Sequence, residues 1–521
     1  MENGDHTTGA GTLSHLLPNI SGLPVVKVFP ADSGNGNGGG GGGAAGAAGG
    51  ETKGAEAMDV AGGGGAQKIG VVFCGRQSPG GHNVIAGLYD TLSRNSPDGS
   101  SVLGFVGGTL GLFAKEYVEL SAALVDRHRN QGGFDMLGRS VDKIRTPEEQ
   151  RAAQEACTAL GLTGLVMIGG TFTAGDAANL AESFKVAGVA TAVVCVPCTI
   201  DGDVDSPMVE ATLGFDTASK VNGQMIGNVA SDINSAKKYY HFVRVMGRKP
   251  SHLVLECALQ TRPNMVLISE EIAAQKKSLT LIVRELADVI CARAADGKNF
   301  GLVVIPEGLF DFIPELKSMG EEIGILVVGA GKGGKVSVDD ALAQMTPWAG
   351  ALFKHLPPFI QAQLLLERDS SGEVPLSQIE TERLLAELVK EELAARKAAG
   401  SYAGKFNFLT HFFGYQARCS FPSHFDCHLG HQLGRCAAAL VAAGCSGYMA
   451  TVQNLREPIE AWQMHGVPLA TMLSVERAAG GQLLAVMEPS LVDIKGKPFR
   501  HYLSQREAWK LQDLYVKEEM R

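Results

Sequence analysis

Residues 164–188 read GLVMIGGTFTAGDAANLAESFKVAG, an apolar run followed by a glycine-containing loop and a helical pattern. The same order returns at IGVVFC (69–74) before GRQSPGGHN, and at TAVVCVP (191–197) before CTIDGDVDS. Apolar runs without polar alternation are typical of parallel strands that are buried on both faces. The sequence therefore predicts an α/β fold whose ligand site lies in the loops at the carboxyl ends of the strands.

The composition excludes several classes of partner. The 521 residues contain 46 Lys plus Arg against 55 Asp plus Glu, which gives a net charge of −9. Nucleic acids and anionic membranes attract concentrated positive charge, so neither is an expected partner. No apolar run approaches the roughly 20 residues of a membrane span, and the N-terminus has no features of a targeting signal. We expect a cytoplasmic protein.

The N-terminal region has the composition of an extension rather than of a domain. Residues 34–65 form a glycine-rich, low-complexity tract that cannot build a packed core. We therefore expect residues 1–66 to be largely disordered, although the segment 13–29 could dock as a short element. The ten cysteines are scattered through the rest of the chain, many of them in apolar segments, which predicts reduced and mostly buried thiols.

Three glycine-containing loops follow apolar strands, at residues 75–81, 169–175 and 199–203. Such a turn before a helix presents backbone N–H groups and the positive end of the helix dipole to a phosphate. Glycine at one such turn is often structural, but three at one sheet edge favour a phosphate site. Asp201 and Asp203 add the carboxylates that phosphoryl transfer needs. The alternative is an Asx-turn, in which Asp only caps the loop.

Seven motifs carry a resemblance to a known family: CGRQSPGGHNV (74–84), NQGGFDMLGR (130–139), TIDGDV (199–204), GFDTASK (214–220), KYYHFVRVMGR (238–248), PEGL (306–309) and FGYQAR (413–418). In this order they resemble the phosphofructokinases, and within them the long pyrophosphate-dependent fructose 6-phosphate phosphotransferases of plants and algae. The stretches CGRQSPGGHN, MGRKPSH, HFFGYQAR and GYMATV are most similar to the alpha, regulatory chain of the plant enzyme. The resemblance covers nearly everything after residue 67.

The resemblance implies a phosphofructokinase-like α/β fold with two doubly wound parallel-sheet lobes and a helical insertion. We assign an N-terminal lobe to the phosphoryl donor and a C-terminal lobe, interrupted by the insertion, to the sugar phosphate. A final segment is expected to pack back on the lobes. The ranges are 67–245 for the first lobe, 246–336 and 405–475 for the second, 337–404 for the insertion and 476–521 for the final segment.

The resemblance also implies that the sugar-phosphate half of the site is complete. Asp201 matches the family's general base, Arg248 belongs to a catalytic Met-Gly-Arg contact, and Arg418 grips the 6-phosphate, a task suited to a guanidinium. Lys238 and Tyr239 match a pair that the family lends to a neighbouring subunit, which implies an oligomer. The expected substrate- or effector-binding residues are Thr199, Ile200, Asp201, Lys238, Tyr239, Met246, Gly247, Arg248, Glu307, Tyr415 and Arg418.

The phosphoryl-donor half departs from the pattern of catalytic relatives. Those chains have a second glycine in the first loop, GGDD after the second strand and a lysine before TIDGD. The degenerate diphosphate loop of this chain consists of Gly75, Arg76, Gly169, Gly170, Thr171, Phe172 and Cys198. Losing a metal carboxylate together with a phosphate-binding cation removes several kcal/mol of transition-state stabilisation. Asp203 stays as the one candidate metal ligand.

We therefore interpret the chain as a regulatory, alpha-type subunit of a glycolytic, pyrophosphate-dependent fructose 6-phosphate 1-phosphotransferase. The resemblance implies a catalytic beta-type partner in a heterotetramer, Mg2+ in the complex, and fructose 2,6-bisphosphate as an allosteric activator. Two alternatives stay open. The chain could be a competent phosphotransferase by itself, since it keeps Asp201 and Asp203 in a TIDGD box that alpha chains usually alter. It could instead be a ligand-free assembly chain, whose stabilisation of its partner would survive Arg248→Ala and Arg418→Ala.

Two further patterns have structural interpretations that we prefer. Cys195 and Cys198 form a C-x-x-C, but the motif runs from a strand into an acidic loop, whereas redox pairs usually lie at a helix N-terminus. A cluster of histidines and cysteines lacks the paired knuckles of a structural zinc site. Its members are His411, Cys419, His424, Cys427, His428, His431 and Cys436.

Overall fold

The structure is a computed structural model, and it describes residues 10–29, 58–61, 65–95, 99–204, 206–331, 334–368, 375–477 and 483–517. The chain divides into two compact units. Unit 1 comprises residues 1–199, 204–213 and 421–488, and unit 2 comprises residues 200–203, 214–420 and 489–521. In the described part of the chain no helix is both long enough and apolar enough to cross a membrane.

The described residues form fifteen strands: β1 (Val26–Phe29), β2 (Met58–Ala61), β3 (Lys68–Phe73), β4 (Ser101–Phe105), β5 (Tyr117–Glu119), β6 (Gly164–Gly169), β7 (Ala192–Pro197), β8 (Tyr240–Val245), β9 (Met265–Val266), β10 (Gly301–Pro306), β11 (Phe408–Phe413), β12 (Tyr448–Gln453), β13 (Gln463–Pro468), β14 (Ser474–Arg477) and β15 (Leu483–Val486). Their β-branched and aromatic residues favour extended backbone.

The helices are α1 (Ala10–Leu16), α2 (Gly81–Asn95), α3 (Thr109–Ala114), α4 (Ala122–His128), α5 (Pro147–Leu160), α6 (Thr171–Ala187), α7 (Phe215–Ala236), α8 (His252–Thr261), α9 (Ser269–Ala274), α10 (Leu279–Ala295), α11 (Pro314–Gly329), α12 (Val338–Gln344), α13 (Pro347–His355), α14 (Pro358–Leu364), α15 (Thr381–Ala398), α16 (Tyr415–Arg418), α17 (His424–Ala442) and α18 (Lys497–Leu511). Local signals fix several boundaries. In α5, Thr146 and Glu149 form a capping box, Pro147 opens the helix, and Gly161 ends it in a left-handed conformation.

Unit 1 is built on a nine-stranded sheet in the order β2-β1-β13-β12-β7-β6-β3-β4-β5. The strands from β12 to β4 are parallel, as the apolar runs predict. Alternate residues of β6 enter different cores: Val166 and Ile168 pack with α2 and α17, whereas Leu165 and Met167 pack with α5 and α6. Helices therefore cover both faces of the sheet, which explains why the strands lack polar alternation.

Helices α2 and α17 approach each other closely because glycines face the contact. A Cβ atom on Gly87 would lie 2.0 Å from the carbonyl oxygen of His431, and one on Gly434 would lie 2.0 Å from that of Val84. No side chain fits at these distances, so both positions require glycine. Helix α17 is far from α2 in the sequence, but this contact places both helices on the same face of the unit 1 sheet.

Unit 2 is built on a four-stranded parallel sheet in the order β11-β8-β10-β9. On one face Tyr240 and Phe242 pack with α10, α11, α13 and α15; on the other, Val243 and Val245 pack with α7, α8 and α18. Residues 337–404 contain α12 to α15, and their apolar side chains belong to the first of these cores. The predicted α/β class is confirmed, with both sheets covered by helices on two faces.

The boundaries between the lobes need correction. Residues 67–245 do not form one lobe, because α7 and β8 belong to unit 2. Residues 421–475 belong to unit 1 and not to the sugar-phosphate lobe, because β12 pairs in parallel with β7 and β13 extends the same sheet. The final segment is also divided, with 489–521 in unit 2.

The expectation of a disordered N-terminal extension is wrong for part of residues 1–66. Leu17 and Ile20, which follow helix α1, pack into the core of unit 1. The backbone N–H of Asn19 donates to the Glu182 carboxylate. Strand β1 pairs antiparallel with β13 and parallel with β2. The segment 13–29 therefore docks, while residues 30–57, which include most of the glycine-rich tract, lie outside the described residues.

Candidate functional site

The predicted diphosphate loops lie at neighbouring strand ends in unit 1. Gly75 follows β3 with φ of 73°, and its N–H donates to Ser140 O at 2.8 Å. Gly170 caps α6 directly after β6. Cys198 follows β7, and its N–H donates to Gly169 O at 2.9 Å. Because β3, β6 and β7 are adjacent in the sheet, Gly75, Gly170 and Cys198 lie at one edge. Of the third predicted loop only Thr199 belongs to unit 1, since residues 200–203 belong to unit 2.

The first turn of α6 is covered by cations of the chain itself. Lys143 Nζ lies 4.1 Å from the centroid of the Phe172 ring, and Arg145 Cζ lies 5.9 Å from it. On the same helix the Asp176 carboxylate accepts from Ile144 N at 3.0 Å and lies 3.8 Å from Arg145 Nε. The segment 143–145 is thus fastened onto the helix start, where a cation over an aromatic face is favourable.

Asp176 gives this cluster a measurable pH dependence. Burial raises the pKa of its carboxyl group from 3.8 to about 6. Protonated Asp176 therefore favours the folded state, and the stability it contributes is complete below its ordinary pKa and is lost as the pH rises through about 6. Between pH 4 and pH 7 we expect the wild-type free energy of unfolding to fall by about 2–3 kcal/mol relative to Asp176→Asn.

Denaturant unfolding of the two proteins at several pH values measures this difference. Parallel curves, with a constant gap between wild type and Asp176→Asn from pH 4 to pH 7, would contradict it.

The loop cysteines are structural. Cys195 and Cys198 are both buried, and burial raises the pKa of the Cys195 thiol to about 12 and that of Cys198 further. Neither thiol ionises at neutral pH, and thiolate is the reactive form. This geometry supports the structural interpretation of the C-x-x-C motif. It also places a neutral group where catalytic relatives are expected to carry lysine.

Thiol labelling tests this assignment. Cys419 is exposed, whereas Cys195 and Cys198 are buried. We expect an aromatic disulfide reagent at pH 8 to modify Cys419 first, and Cys419→Ser to remove that fast phase. Cys195 and Cys198 should react only after denaturation, since reaction needs both access and thiolate. Rapid labelling of the native Cys419→Ser protein at either loop cysteine would contradict the assignment.

The predicted sugar-phosphate residues converge in unit 2. The turn Met246–Arg248 follows β8, Glu307 follows β10, and α16 with Arg418 follows β11. These three strands are adjacent, and their ends lie in one register, with Pro306 and Phe413 both opposite Val245. The sequence separations are large, but the parallel sheet brings the three loops to one edge.

Direct contacts join five of these residues. The Glu307 carboxylate, fully buried, accepts from Gly247 N at 3.0 Å. Arg418 is buried as well; its Nε donates to Met246 Sδ at 2.8 Å, and its Nη2 lies 3.8 Å from Asp201 Oδ1. A carboxylate, a second carboxylate and a guanidinium in one cluster can bind sugar hydroxyls and a phosphate.

Other predicted residues lie at the margin of this cluster or apart from it. Tyr415 is 55% exposed and Arg248 is half-buried. Lys238 is exposed, with its Nζ 5.3 Å from the Tyr239 ring centroid, and no described contact joins this pair to Arg418 or Glu307. Ile200 is buried in the core of unit 2. The backbone oxygen of Asp203 accepts from Ser490 N.

Thr199 and Arg76 belong with the diphosphate loops in unit 1. Thr199 lies against Gly170, since a Cβ atom on that glycine would be 3.4 Å from the threonine Cβ. The backbone N–H of Thr199 donates to Leu213 O at 3.0 Å. Arg76 is half-buried.

Sequence reasoning missed Arg244, which contacts the sugar-phosphate cluster of unit 2, and Glu382, which contacts Arg244. Arg244, on β8, is 2% exposed, and its Nη1 lies 3.9 Å from Glu307 Oε1. Its Nε lies 2.6 Å from Glu382 Oε2, on α15. A lone arginine inside the apolar run YHFVRV could have signalled a buried ion pair, but nothing in the sequence indicates Glu382 as its partner.

The histidine–cysteine cluster is spread over separate elements. The rings of His424 and His428 lie 4.6 Å apart on α17, whereas His431 Nε2 contacts Asp90 at 2.9 Å, and His411 bonds to His241 on β8. In the parts of the chain that the structure describes, no three His, Cys, Asp or Glu side chains are arranged to hold a metal ion. These positions support the structural interpretation.

Comparisons with known proteins agree with this geometry. The family model described as phosphofructokinase matches residues 68–441. The chain is 47% identical to pyrophosphate--fructose 6-phosphate 1-phosphotransferase subunit alpha 2 of Arabidopsis thaliana over 456 residues, covering 86% of this chain and 73% of that one. It is 44% identical to subunit beta 1 from the same plant, covering 86% and 78%. It is 43% identical to the Treponema pallidum (strain Nichols) pyrophosphate--fructose 6-phosphate 1-phosphotransferase, covering 86% and 79%.

Among solved structures, the pyrophosphate-dependent phosphofructokinase from Nitrosospira multiformis has the same fold. It superposes with a TM-score of 0.54 at 15% identity, covering 87% of this chain and 93% of that chain. The identification made from the seven motifs is thereby confirmed, and the chain belongs to the phosphofructokinase family.

Proposed function

We propose that this chain is a regulatory, alpha-type subunit of a pyrophosphate-dependent fructose 6-phosphate 1-phosphotransferase in glycolysis. It would act with a catalytic beta-type subunit in a heterotetramer that interconverts fructose 6-phosphate and diphosphate with fructose 1,6-bisphosphate and phosphate. One contrast carries the proposal: the cluster of Asp201, Glu307 and Arg418 is intact in unit 2, while the loops of unit 1 carry Phe172 and Cys198 instead of acidic and basic groups. The similarity to chains named as alpha subunits supports it.

The residues of unit 2 suit fructose 6-phosphate or fructose 2,6-bisphosphate. The Arg418 guanidinium can form paired, charge-assisted hydrogen bonds with a phosphate, and Tyr415 lies three residues before it. Asp201 and Glu307 present carboxylate oxygens to sugar hydroxyls. Arg248, the last residue of the Met246–Arg248 turn, adds a second positive charge. We propose that fructose 6-phosphate binds as a substrate-like ligand and that fructose 2,6-bisphosphate binds as an activator.

The residues of the donor loops do not fit a magnesium ion. Magnesium prefers carboxylate and phosphate oxygens, but Thr171 offers one hydroxyl and Phe172 offers no ligand atom. Lys143 Nζ, 4.1 Å from the Phe172 ring, would repel a divalent cation there. We therefore propose that Mg2+ in the complex belongs to the catalytic partner.

The proposed partner is a beta-type chain. Lys238 and Tyr239 would extend from this chain into the partner's ligand site. Both side chains are at least partly accessible, so they can reach a ligand bound by a neighbouring subunit. The net charge of −9 and the family's chemistry suit the cytoplasm.

Calorimetric titration of the purified chain with fructose 6-phosphate and with fructose 2,6-bisphosphate tests the proposed ligands. Saturable binding of either sugar phosphate, without a phosphoryl donor, is the expected result. If a folded chain binds neither, the proposed function fails and an assembly role without ligand takes its place.

A second candidate is a phosphotransferase that works alone. It is favoured by the retained Asp201 near Arg418 and by 43% identity to the Treponema pallidum enzyme, whose name carries no subunit designation. Turnover by the isolated chain, lost on Asp201→Ala, would establish it.

A further inference from the structure

Arg244 is a charged side chain inside the core of unit 2. It lies on β8 between the aromatic core residue Phe242 and the Met246–Arg248 turn, and only 2% of its surface is exposed. Burying a guanidinium costs several kcal/mol unless ion pairs and hydrogen bonds replace its hydration. Its partners must therefore account for its presence in an apolar strand.

One set of partners comes from the helical insertion. Nε lies 2.6 Å from Glu382 Oε2 in the first turn of α15. Nη1 donates to Leu376 O at 3.1 Å and Nη2 to Ser377 O at 3.2 Å, both in a 3-10 turn over Leu376–Gln378. The Phe412 ring covers the guanidinium, with its centroid 3.9 Å from Cζ. Arg244 thus anchors the start of α15 to the sheet.

The other partner belongs to the sugar-phosphate cluster. Nη1 lies 3.9 Å from Glu307 Oε1, and the second oxygen of Glu307 accepts from Gly247 N at 3.0 Å. Gly247 is the centre of the Met246–Arg248 turn, and Met246 Sδ accepts from Arg418. A continuous line of contacts therefore runs from Glu382 through Arg244 and Glu307 to the Met246–Arg248 turn, which we propose as a sugar contact.

The charges of these residues explain how a change at Glu382 can move Glu307. One guanidinium faces two buried carboxylates, so Glu382 fixes the orientation in which Arg244 meets Glu307. With an uncharged residue at 382, Arg244 keeps the carbonyl oxygens of Leu376 and Ser377 and the Phe412 ring but loses the charge of Glu382. Its ion pair with Glu307 is then free to shorten or rotate. Either movement shifts the Glu307 oxygen that holds Gly247 N, because buried ionic networks respond as units.

We propose that Glu382 of the helical insertion is a positioning residue, which acts through Arg244 to hold Glu307 and the Met246–Arg248 turn in their sugar-binding arrangement. The insertion is then a working part of the sugar-phosphate site. As regards the ligand, the inference rests on the proposed function.

The test compares wild type, Glu382→Gln and Glu382→Asp in the full chain. The control is Glu387→Gln, on the same helix, where the carboxylate pairs with the exposed Lys390 at 3.1 Å. Hydrogen exchange without ligand reports on residues 246–249, with β10 as internal reference. Titration with fructose 6-phosphate, well below the melting temperature, reports on the site.

For Glu382→Gln we expect faster exchange in residues 246–249 while β10 is unchanged, and a dissociation constant roughly tenfold higher. Glu382→Asp, which keeps the charge, should recover part of both effects, and Glu387→Gln should match wild type. A residue that only supports stability would lower the melting temperature and leave the dissociation constant of the folded chain unchanged.

Unchanged exchange at residues 246–249 in a folded Glu382→Gln protein would overturn the proposal. Faster exchange with unchanged affinity would overturn its claim about the ligand. Absence of binding by the wild-type chain would instead defeat the proposed function, and the exchange data would still decide whether Glu382 positions the turn. If Glu382→Gln does not fold, Glu382→Asp supplies the same comparison.

Discussion

Replacing Arg418 by alanine should weaken the binding of fructose 6-phosphate by about 100-fold. The guanidinium is buried, and its Nη2 lies 3.8 Å from the Asp201 carboxylate. Removing one member of a buried, charge-assisted pair costs about 2–5 kcal/mol, and each 1.4 kcal/mol is tenfold in affinity. Arg418→Lys should recover only part of this loss, since an ammonium cannot form the paired contact with phosphate.

Calorimetric titration measures this effect. Arg284→Ala is the control, because Arg284 is exposed on α10 of the same unit, and it should bind as wild type does. Circular dichroism shows whether each variant is folded. Arg418→Ala binding within threefold of wild type would contradict the assignment of Arg418 to the phosphate.

Replacing Arg244 by methionine should lower the free energy of unfolding of unit 2 by about 3–5 kcal/mol. Methionine fills much of the space, but Glu382 and Glu307 lose the cation between them. Burial already raises the pKa of Glu382, and Arg244 opposes that shift. Without the arginine, one carboxylate must take up a proton or remain buried without its ion pair.

Urea denaturation measures the change, followed by tryptophan fluorescence in a Trp462→Phe background. The remaining tryptophans, Trp348 and Trp509, both lie in unit 2. Arg383→Ala is the control, because its pair with Glu380 is at the surface and such pairs contribute about 0–1 kcal/mol. An Arg244→Met protein as stable as Arg383→Ala would show that the buried network contributes little.

Much of the fold was predictable because it follows from local patterns. Continuous apolar runs such as residues 164–169 and 191–197 indicate buried parallel strands, and they are β6 and β7. The return of residues 421–475 to unit 1 was not predictable from such patterns. It depends on β12 pairing with β7, a contact between segments far apart in the chain.

The site was predictable where it follows strand ends, and unpredictable where it depends on side chains from elsewhere. Glu307 and Arg418 follow β10 and β11, so their convergence follows from the parallel sheet. The contact of Lys143 with the Phe172 ring depends on where the loop that contains residues 143–145 runs, which no sequence pattern indicates. The Arg244–Glu382 pair joins a strand to a helix within the insertion, and no spacing in the sequence indicates it.

The most direct test of the central claim is a phosphotransfer assay on the purified chain alone. It contains fructose 6-phosphate, Mg2+ and either pyrophosphate or ATP, with and without fructose 2,6-bisphosphate. We predict no turnover above background with either donor, in a chain that binds the sugar phosphates and raises the activity of a catalytic beta-type chain when the two are mixed. Rapid turnover with pyrophosphate by the chain alone, abolished by Asp201→Ala, would contradict this account of Phe172 and Cys198.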